Sequence, residues 1–179
     1  MARLAIDCLG ELAVRRAGTA LPPPASRKAR ALLGYLALTL RPHRRERLCE
    51  LLWQLPDDPR AALRWALSKL RAVTDPDDPF IADRERVGLD GTMVEIDLDA
   101  IRARLLDDPP FVPPRDLRAM AARLALPLLD GLDAAGGDAF ALWLAHERED
   151  THRLRNNVLR RLALHPDVQA DEAISWATL

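Results

Sequence analysis

Arg60, Arg64, Ser68 and Arg71 recur at three- and four-residue spacing within Pro59–Thr74, PRAALRWALSKLRAVT. At 100° per residue they crowd one side of a helix, with Trp65, Lys69 and Ala72 beyond them. Ala62, Leu63, Ala66, Leu67, Leu70 and Val73 form the opposite, continuous apolar arc. Guanidinium, ammonium and hydroxyl groups on one face can donate hydrogen bonds to base edges and neutralise phosphates. A merely solvated basic face has the same pattern, so the flanking segments must decide between the two. The start of the helix is well marked: Asp58 is a natural N-cap and Pro59 suits the first helical position.

Other chemistry is thinly represented. His146 and Asp150 stand four apart and can share a helix face, as metal ligands do, but no third ligand lies at usable spacing. They read as a solvent-facing pair. The chain contains no GxGxxG, P-loop or GxSxG pattern, and the charges at 147–150 read as helix-pairing groups rather than a carboxylate dyad. Cys8 and Cys49 sit among apolar neighbours without metal-ligand spacing, so buried, reduced thiols are expected. The expectation is a non-enzyme that needs no cofactor and no metal.

The 179 residues are 49% hydrophobic and 30% charged, enough for one large domain or two small ones. No apolar run reaches the ~18 residues of a membrane span. The start, MARLAIDCLG, lacks the apolar core of a signal peptide, so a cytoplasmic protein is expected. The net charge of -1 hides an asymmetry: residues 1–75 hold 14 Lys and Arg against 7 Asp and Glu, or +7, leaving -8 for the remainder. A basic front and an acidic back suit a polyanion-binding unit joined to a protein-binding one.

The elements that must position the arginine-bearing helix follow in order. Two short strands are predicted near 3–9 and 11–16, with a third near 19–22, before Pro22-Pro23-Pro24. Ser26 caps a helix RKARALLGYLALTL with Ala29, Leu32, Leu33, Leu36 and Leu40 inward and Arg27, Lys28 and Arg30 in its first turn. After Pro42 a second helix begins near Arg44, with Leu48, Leu51, Leu52 and Trp53 inward. His43, Arg44, Arg45 and Arg47 crowd its start against the macrodipole, with only Glu46 to offset them; a docked phosphate would relieve this, and side chains that simply point to water fit the pattern equally well. Beyond the 59–74 helix, Phe80–Ala82 and Val87–Leu89 form a hairpin with Arg84, Glu85 and Arg86 at its tip, and MVEIDLDAI gives one more strand to about Leu98. Strands, three helices and a hairpin in this order describe a helix-turn-helix with a β-wing.

The blocks SRKARALLGYLAL, RRERLCELLW, ALRWALSKLR and ADRERVGLD resemble, in order and spacing, the N-terminal domain of SARP-type bacterial transcription regulators. The resemblance covers about residues 3–99 and implies an OmpR-type winged helix. Two departures stand out: the connection from Trp53 to Leu63 is a residue or two shorter than in many relatives, and Arg44 replaces a small capping residue. DGLDAAGGDAFALWLAHERED is similar to the start of the bacterial transcriptional activation domain that follows in this family, an all-helical, tetratricopeptide-like array. The implied fold class is therefore an α+β winged helix-turn-helix over 1–104 followed by a partial all-α domain over 105–179. DDPPFVPP (107–114) links them; LRAMAARLALPLLDGL is a helix whose last turn Pro127 cuts. A loop then spans 130–138. A long helix follows with Phe140, Trp143, Leu144, Leu154, Val158 and Leu162 as core, and a further helix starts at Asp171. Because helical arrays need about three units and a cap, the chain is expected to be the front of a longer protein with further domains downstream.

Site roles follow from the resemblance and from base chemistry together. The 59–74 helix is expected in the major groove, Arg64 and Ser68 at base edges. Arg60, Lys69 and Arg71 hold phosphates, as do Arg27, Lys28, Arg44 and Arg45 at helix starts. Arg84 and Arg86 reach the adjacent minor groove or its phosphates. Trp65 is open between packing on the wing and meeting a sugar edge, and packing is the expectation. The family binds double-stranded DNA side by side on direct repeats and recruits RNA polymerase, which implies association, such as a homodimer, on DNA. The other class that fits the residues is a protein-interaction module of a larger signalling protein with little DNA affinity.

Overall fold

The computed structural model describes residues 3–54, 58–106 and 112–169. The chain begins with strands β1 (Leu4–Asp7), β2 (Ala13–Arg16) and β3 (Thr19–Leu21), then helix α1 (Arg27–Thr39). A two-residue strand β4 (His43–Arg44) precedes α2 (Arg45–Leu52) and α3 (Pro59–Thr74). Strands β5 (Phe80–Ala82), β6 (Arg86–Leu89) and β7 (Val94–Ile96) lead into α4 (Asp97–Leu106), α5 (Pro114–Leu124) and α6 (Asp138–Ala163).

Alternation makes the first sheet: Leu4 and Ile6 of β1, Val14 of β2, and Val94 and Ile96 of β7 all face the core. Its strand order is β3-β2-β1-β7, with β7 parallel to β1 and the other pairs antiparallel. Ala17 and Gly18, both at positive φ (47° and 83°), form the two-residue turn between β2 and β3 that matches strand twist. The second sheet, β4-β6-β5, is antiparallel throughout and carries the hairpin. The described residues form a mixed α+β fold of six helices and two small sheets.

The three predicted N-terminal strands and the hairpin form where expected, and Ser26 and Asp58 cap their helices, accepting from the N–H groups of Ala29 and Ala61. Cys8 and Cys49 are buried free thiols. Several expectations need correction. The strand predicted to about Leu98 stops at Ile96, because Asp97 turns the chain: its carboxylate accepts the N–H of Leu98 (2.9 Å) and starts the unanticipated α4. Leu40 is exposed, since it closes α1 in the left-handed region (φ 43°), donating its N–H to Leu36. The second helix starts at Arg45, because His43 and Arg44 pair as strand with Val87 and Arg86. α5 ends at Leu124, so Pro127 lies beyond the helix rather than in its last turn, and Leu128 and Leu129 are buried from a loop. Residues 55–57, most of the 107–114 linker and the helix expected from Asp171 lie outside the described residues.

A single hydrophobic cluster runs through all of this. The loop after α5 lies against the end of β1: Leu9 bridges Leu128, and Leu129 donates to the Cys8 carbonyl at 2.8 Å. Gly34 lets that loop approach α1, since a Cβ there would stand 2.8 Å from a Leu129 methyl. α6 docks on α2 through Gly137, which donates to the Leu51 carbonyl at 3.1 Å, and Trp143 meets Tyr35 of α1 edge-on at 4.7 Å. Polar ties reinforce the junction, with Arg123 of α5 reaching Asp97 at 2.8 Å.

Candidate nucleic-acid interface

α3 is gripped at both ends and from behind. Asp58 closes its N-terminus, while at the C-terminus Arg16 of β2 donates to the carbonyls of Thr74 (2.6 Å) and Asp75 (2.8 Å). Leu63, Ala66, Leu67 and Leu70 are buried against α1 and α2. The expected apolar arc is thus the clamped side, with Ala62 and Val73 at its half-buried margins. Arg60, Arg64, Trp65, Ser68, Lys69 and Ala72 remain exposed and constitute the outward face.

The wing stands beside this face. Asp83 organises its tip, accepting the N–H groups of Glu85 (2.7 Å) and Arg86 (2.6 Å). Those two backbone bonds hold the Asp83 carboxyl below its ordinary range. Arg45 fastens the tip to α2: its backbone N–H donates to the Glu85 carbonyl (2.8 Å) and its Nε to the Asp83 carbonyl (2.9 Å). Between wing, α2 and α3 lies an open cleft lined by Arg45, Arg60, Leu63, Arg64, Asp83 and Arg84. Four of the predicted cations, from three different elements, therefore converge on one concavity. At a spacing set by rigid elements, such a cleft suits an extended polyanion more than a single small anion.

The remaining candidates are placed elsewhere. Arg27 and Lys28 open α1 directly after Ser26, which lines the groove beside Trp65; Arg44 is exposed on β4, and Arg86 is exposed on β6. None of Arg27, Lys28, Arg44, Arg84 and Arg86 has a salt bridge among the described residues. Ser68 is exposed mid-helix between the two flanks.

Sequence reasoning missed the counter-charges. Arg60 bonds Glu46 of α2 at 2.7 Å, Arg64 approaches Asp58 at 3.8 Å, and Arg71 bonds Asp78 at 2.8 Å. Side-chain exposure decides what these pairs mean: Arg60 keeps 68%, Arg64 64% and Arg71 42% of its surface in solvent. Solvent-exposed pairs of this kind are worth at most about 1 kcal/mol, so the cations stay available to a competing anion. The Asp83 turn was legible as an Asp two and three residues ahead of its donors; the partners of Arg60 and Arg71 were not, because they arrive from other elements. Trp65 also departs from expectation. Its indole is 53% exposed and turned to the flank away from the wing cleft, in a groove lined with Pro22, Pro23 and Pro24, with Lys69 Nζ 5.6 Å from its centroid. It does not pack on the wing: the wing-tip residues Asp83 and Arg84 line the cleft on the Arg60 and Arg64 flank, whereas the groove holding Trp65 is lined from the proline segment.

His43 ties the wing to α1. Its ring is buried 4.7 Å from that of Tyr35, and Nε2 lies 2.8 Å from the Thr39 hydroxyl. Burial, reinforced by Arg41 and Arg47, lowers its pKa from 6.5, so the unfolded chain takes up a proton more readily than the folded one. Stability contributed by neutral His43 is present above pH ~6.5 and is lost as pH falls through the folded value. Urea unfolding is expected to show a lower midpoint at pH 5.5 than at pH 7.5, and His43→Gln should shrink that difference. An equal acid loss in the variant would locate its origin elsewhere.

Among the described residues no helix is long and apolar enough to cross a membrane, and no three His, Cys, Asp or Glu side chains gather to hold a metal ion. His146 and Asp150 form an exposed pair at 3.6 Å.

No family model matches the chain, and no curated protein matches it. Among solved structures, Mycobacterium tuberculosis EmbR in complex with a low-affinity phosphopeptide is similar, with a TM-score of 0.63 at 22% identity. The likeness covers 91% of this chain and 46% of that one, so the chain spans about half the length of that protein. The two share a fold.

Proposed function

We propose that this chain is a sequence-specific DNA-binding transcription regulator of the SARP type, acting as an activator in the cytoplasm. The observation that carries the reading is the convergence of Arg45, Arg60, Arg64 and Arg84 on the cleft beside an outward-facing, doubly anchored α3. In this reading α3 enters the major groove and the 80–90 hairpin is the wing. Arg64 and Ser68 meet base edges, Arg60, Lys69 and Arg71 hold the flanking phosphates, and Arg27, Lys28, Arg44 and Arg45 engage the backbone from the helix starts. Arg84 and Arg86 reach the neighbouring minor groove. Residues 1–104 form the DNA-reading unit and 105–179 the helical activation unit, which would follow on from tetratricopeptide-like packing of α5 and α6. Direct-repeat operators, pairing of two copies on DNA, recruitment of RNA polymerase and downstream domains belong to the same proposal.

The test is affinity against sequence and salt with the whole chain. Arg64→Ala is expected to cost about 1–3 kcal/mol on a selected cognate duplex, roughly five- to 150-fold, and to relax discrimination at one base pair. Arg44→Ala should weaken all duplexes alike and lower the salt slope by about one unit. Unchanged discrimination in Arg64→Ala would remove α3 as the reader.

One observation favours a second reading. The three arginines of α3 already meet Glu46, Asp58 and Asp78, and the second part of the chain carries the negative balance. A protein-interaction module of a larger signalling protein fits that arrangement. It predicts no duplex retardation even at low salt, with a protein partner held by 105–179.

A further inference from the structure

Resting on the DNA-reading proposal, we propose that Trp65 is a specificity-determining residue that reads the C5-methyl group of a thymine in the major groove. The outward arc of α3 runs from Arg60 through Arg64 and Ser68 to Trp65 and Lys69. On 100° steps Arg64 and Trp65 lie at similar angles on either side of Ser68, so a groove that admits one admits the other. The face is chemically divided. Its wing side presents guanidinium groups, and its opposite side presents a half-exposed indole.

An exposed tryptophan is a large apolar surface left in water. Here the indole is also held in place: the Lys69 ammonium sits 5.6 Å from its centroid, and Pro22–Pro24, a segment of fixed φ, forms the other wall of its groove. Charge complementarity selects the occupant. Lys69 stands beside the ring, and Ser26, which lines the groove, is followed directly in the chain by Arg27 and Lys28, so cations adjoin the apolar spot. A DNA strand offers that combination, a methyl group projecting between phosphates, and thymine is the base that presents a methyl in the major groove. Arg64 against guanine and Trp65 against thymine would then read adjacent positions with orthogonal chemistry.

The experiment selects sites from a random duplex library with the whole chain, then replaces each thymine of the best site by deoxyuridine, which removes only the methyl. Binding of the wild type is expected to fall about fourfold at one position, the factor for one buried methyl group. Trp65→Ala should bind the thymine and uracil duplexes equally at that position, with its melting temperature unchanged because the side chain lies outside the core. A wild type indifferent to every such replacement overturns the proposal, as does a consensus without thymine, or a loss that persists in Trp65→Ala. If the wild type discriminates and Arg64→Ala relaxes that discrimination while no methyl matters, only the role of Trp65 falls. If no duplex binds, the DNA-reading proposal falls and takes this one with it.

Discussion

Asp97→Ala is expected to destabilise the chain by about 3 kcal/mol, since three backbone donors lose their acceptor at roughly 1 kcal/mol or more each. Its carboxylate, only 11% exposed, accepts the backbone N–H groups of Cys8 (2.8 Å), Leu9 (3.0 Å) and Leu98 (2.9 Å) and pairs with Arg123. Alanine leaves three donors and a guanidinium without that acceptor at the point where β1 ends, α4 begins and α5 docks. Asp97→Asn keeps one carbonyl oxygen and should lose much less. Chemical denaturation measures the energy, and Cys8 gives a local reading. Burial first, and the nearby Asp97 charge next, push the Cys8 thiol well above its ordinary range. In the wild type it should resist alkylation until the chain unfolds; in Asp97→Ala it should react under native conditions. Wild-type stability in the variant would mean that the ties seen at this corner carry no energy.

Phe140→Ala is the second large effect, at about 3–5 kcal/mol. Phe140 has no exposed surface, its ring lies 5.4 Å from that of Trp143, and Trp143 in turn meets Tyr35. The cavity would open beneath α6 near its docking point on α2, where Gly136 already approaches the Leu51 carbonyl so closely that an added Cβ would stand 2.8 Å from it. With little room to collapse, the upper part of the range applies. Since each kcal/mol lowers the melting temperature of a chain this size by roughly 2–4 °C, a fall near 10 °C or more is expected by circular dichroism. A fall of only a degree or two would show that α6 contributes little to the common core.

What was legible in the sequence was local. The apolar arc of α3, the Asp58-Pro59 start, the Ser26 cap and the hairpin around Arg84 all depend on neighbours within a turn or two, and each formed as read. β4 was not legible, because two residues have no periodicity and His43–Arg44 become strand only against Val87 and Arg86. The start of α4 was hidden for a related reason: Asp97 continues an alternating pattern, and its turn is set by Cys8 and Leu9, far back in the chain. Within the candidate site, the arginines and their outward direction could be read from spacing. Their carboxylate partners and the side of α3 on which Trp65 falls could not, since both depend on how α2, the wing and the proline segment are assembled.

The lid that α6 and the 127–130 loop place over α1 and α2 bears on how the front half can be studied. A fragment severed after residue 104 would bare the flank holding Gly34, Tyr35 and Leu51, a strip otherwise roofed by Leu129, Trp143 and Gly137. Such a piece would come out tacky and prone to clump. Silence from it in a gel would report a wounded hydrophobic seam rather than a helix that cannot read.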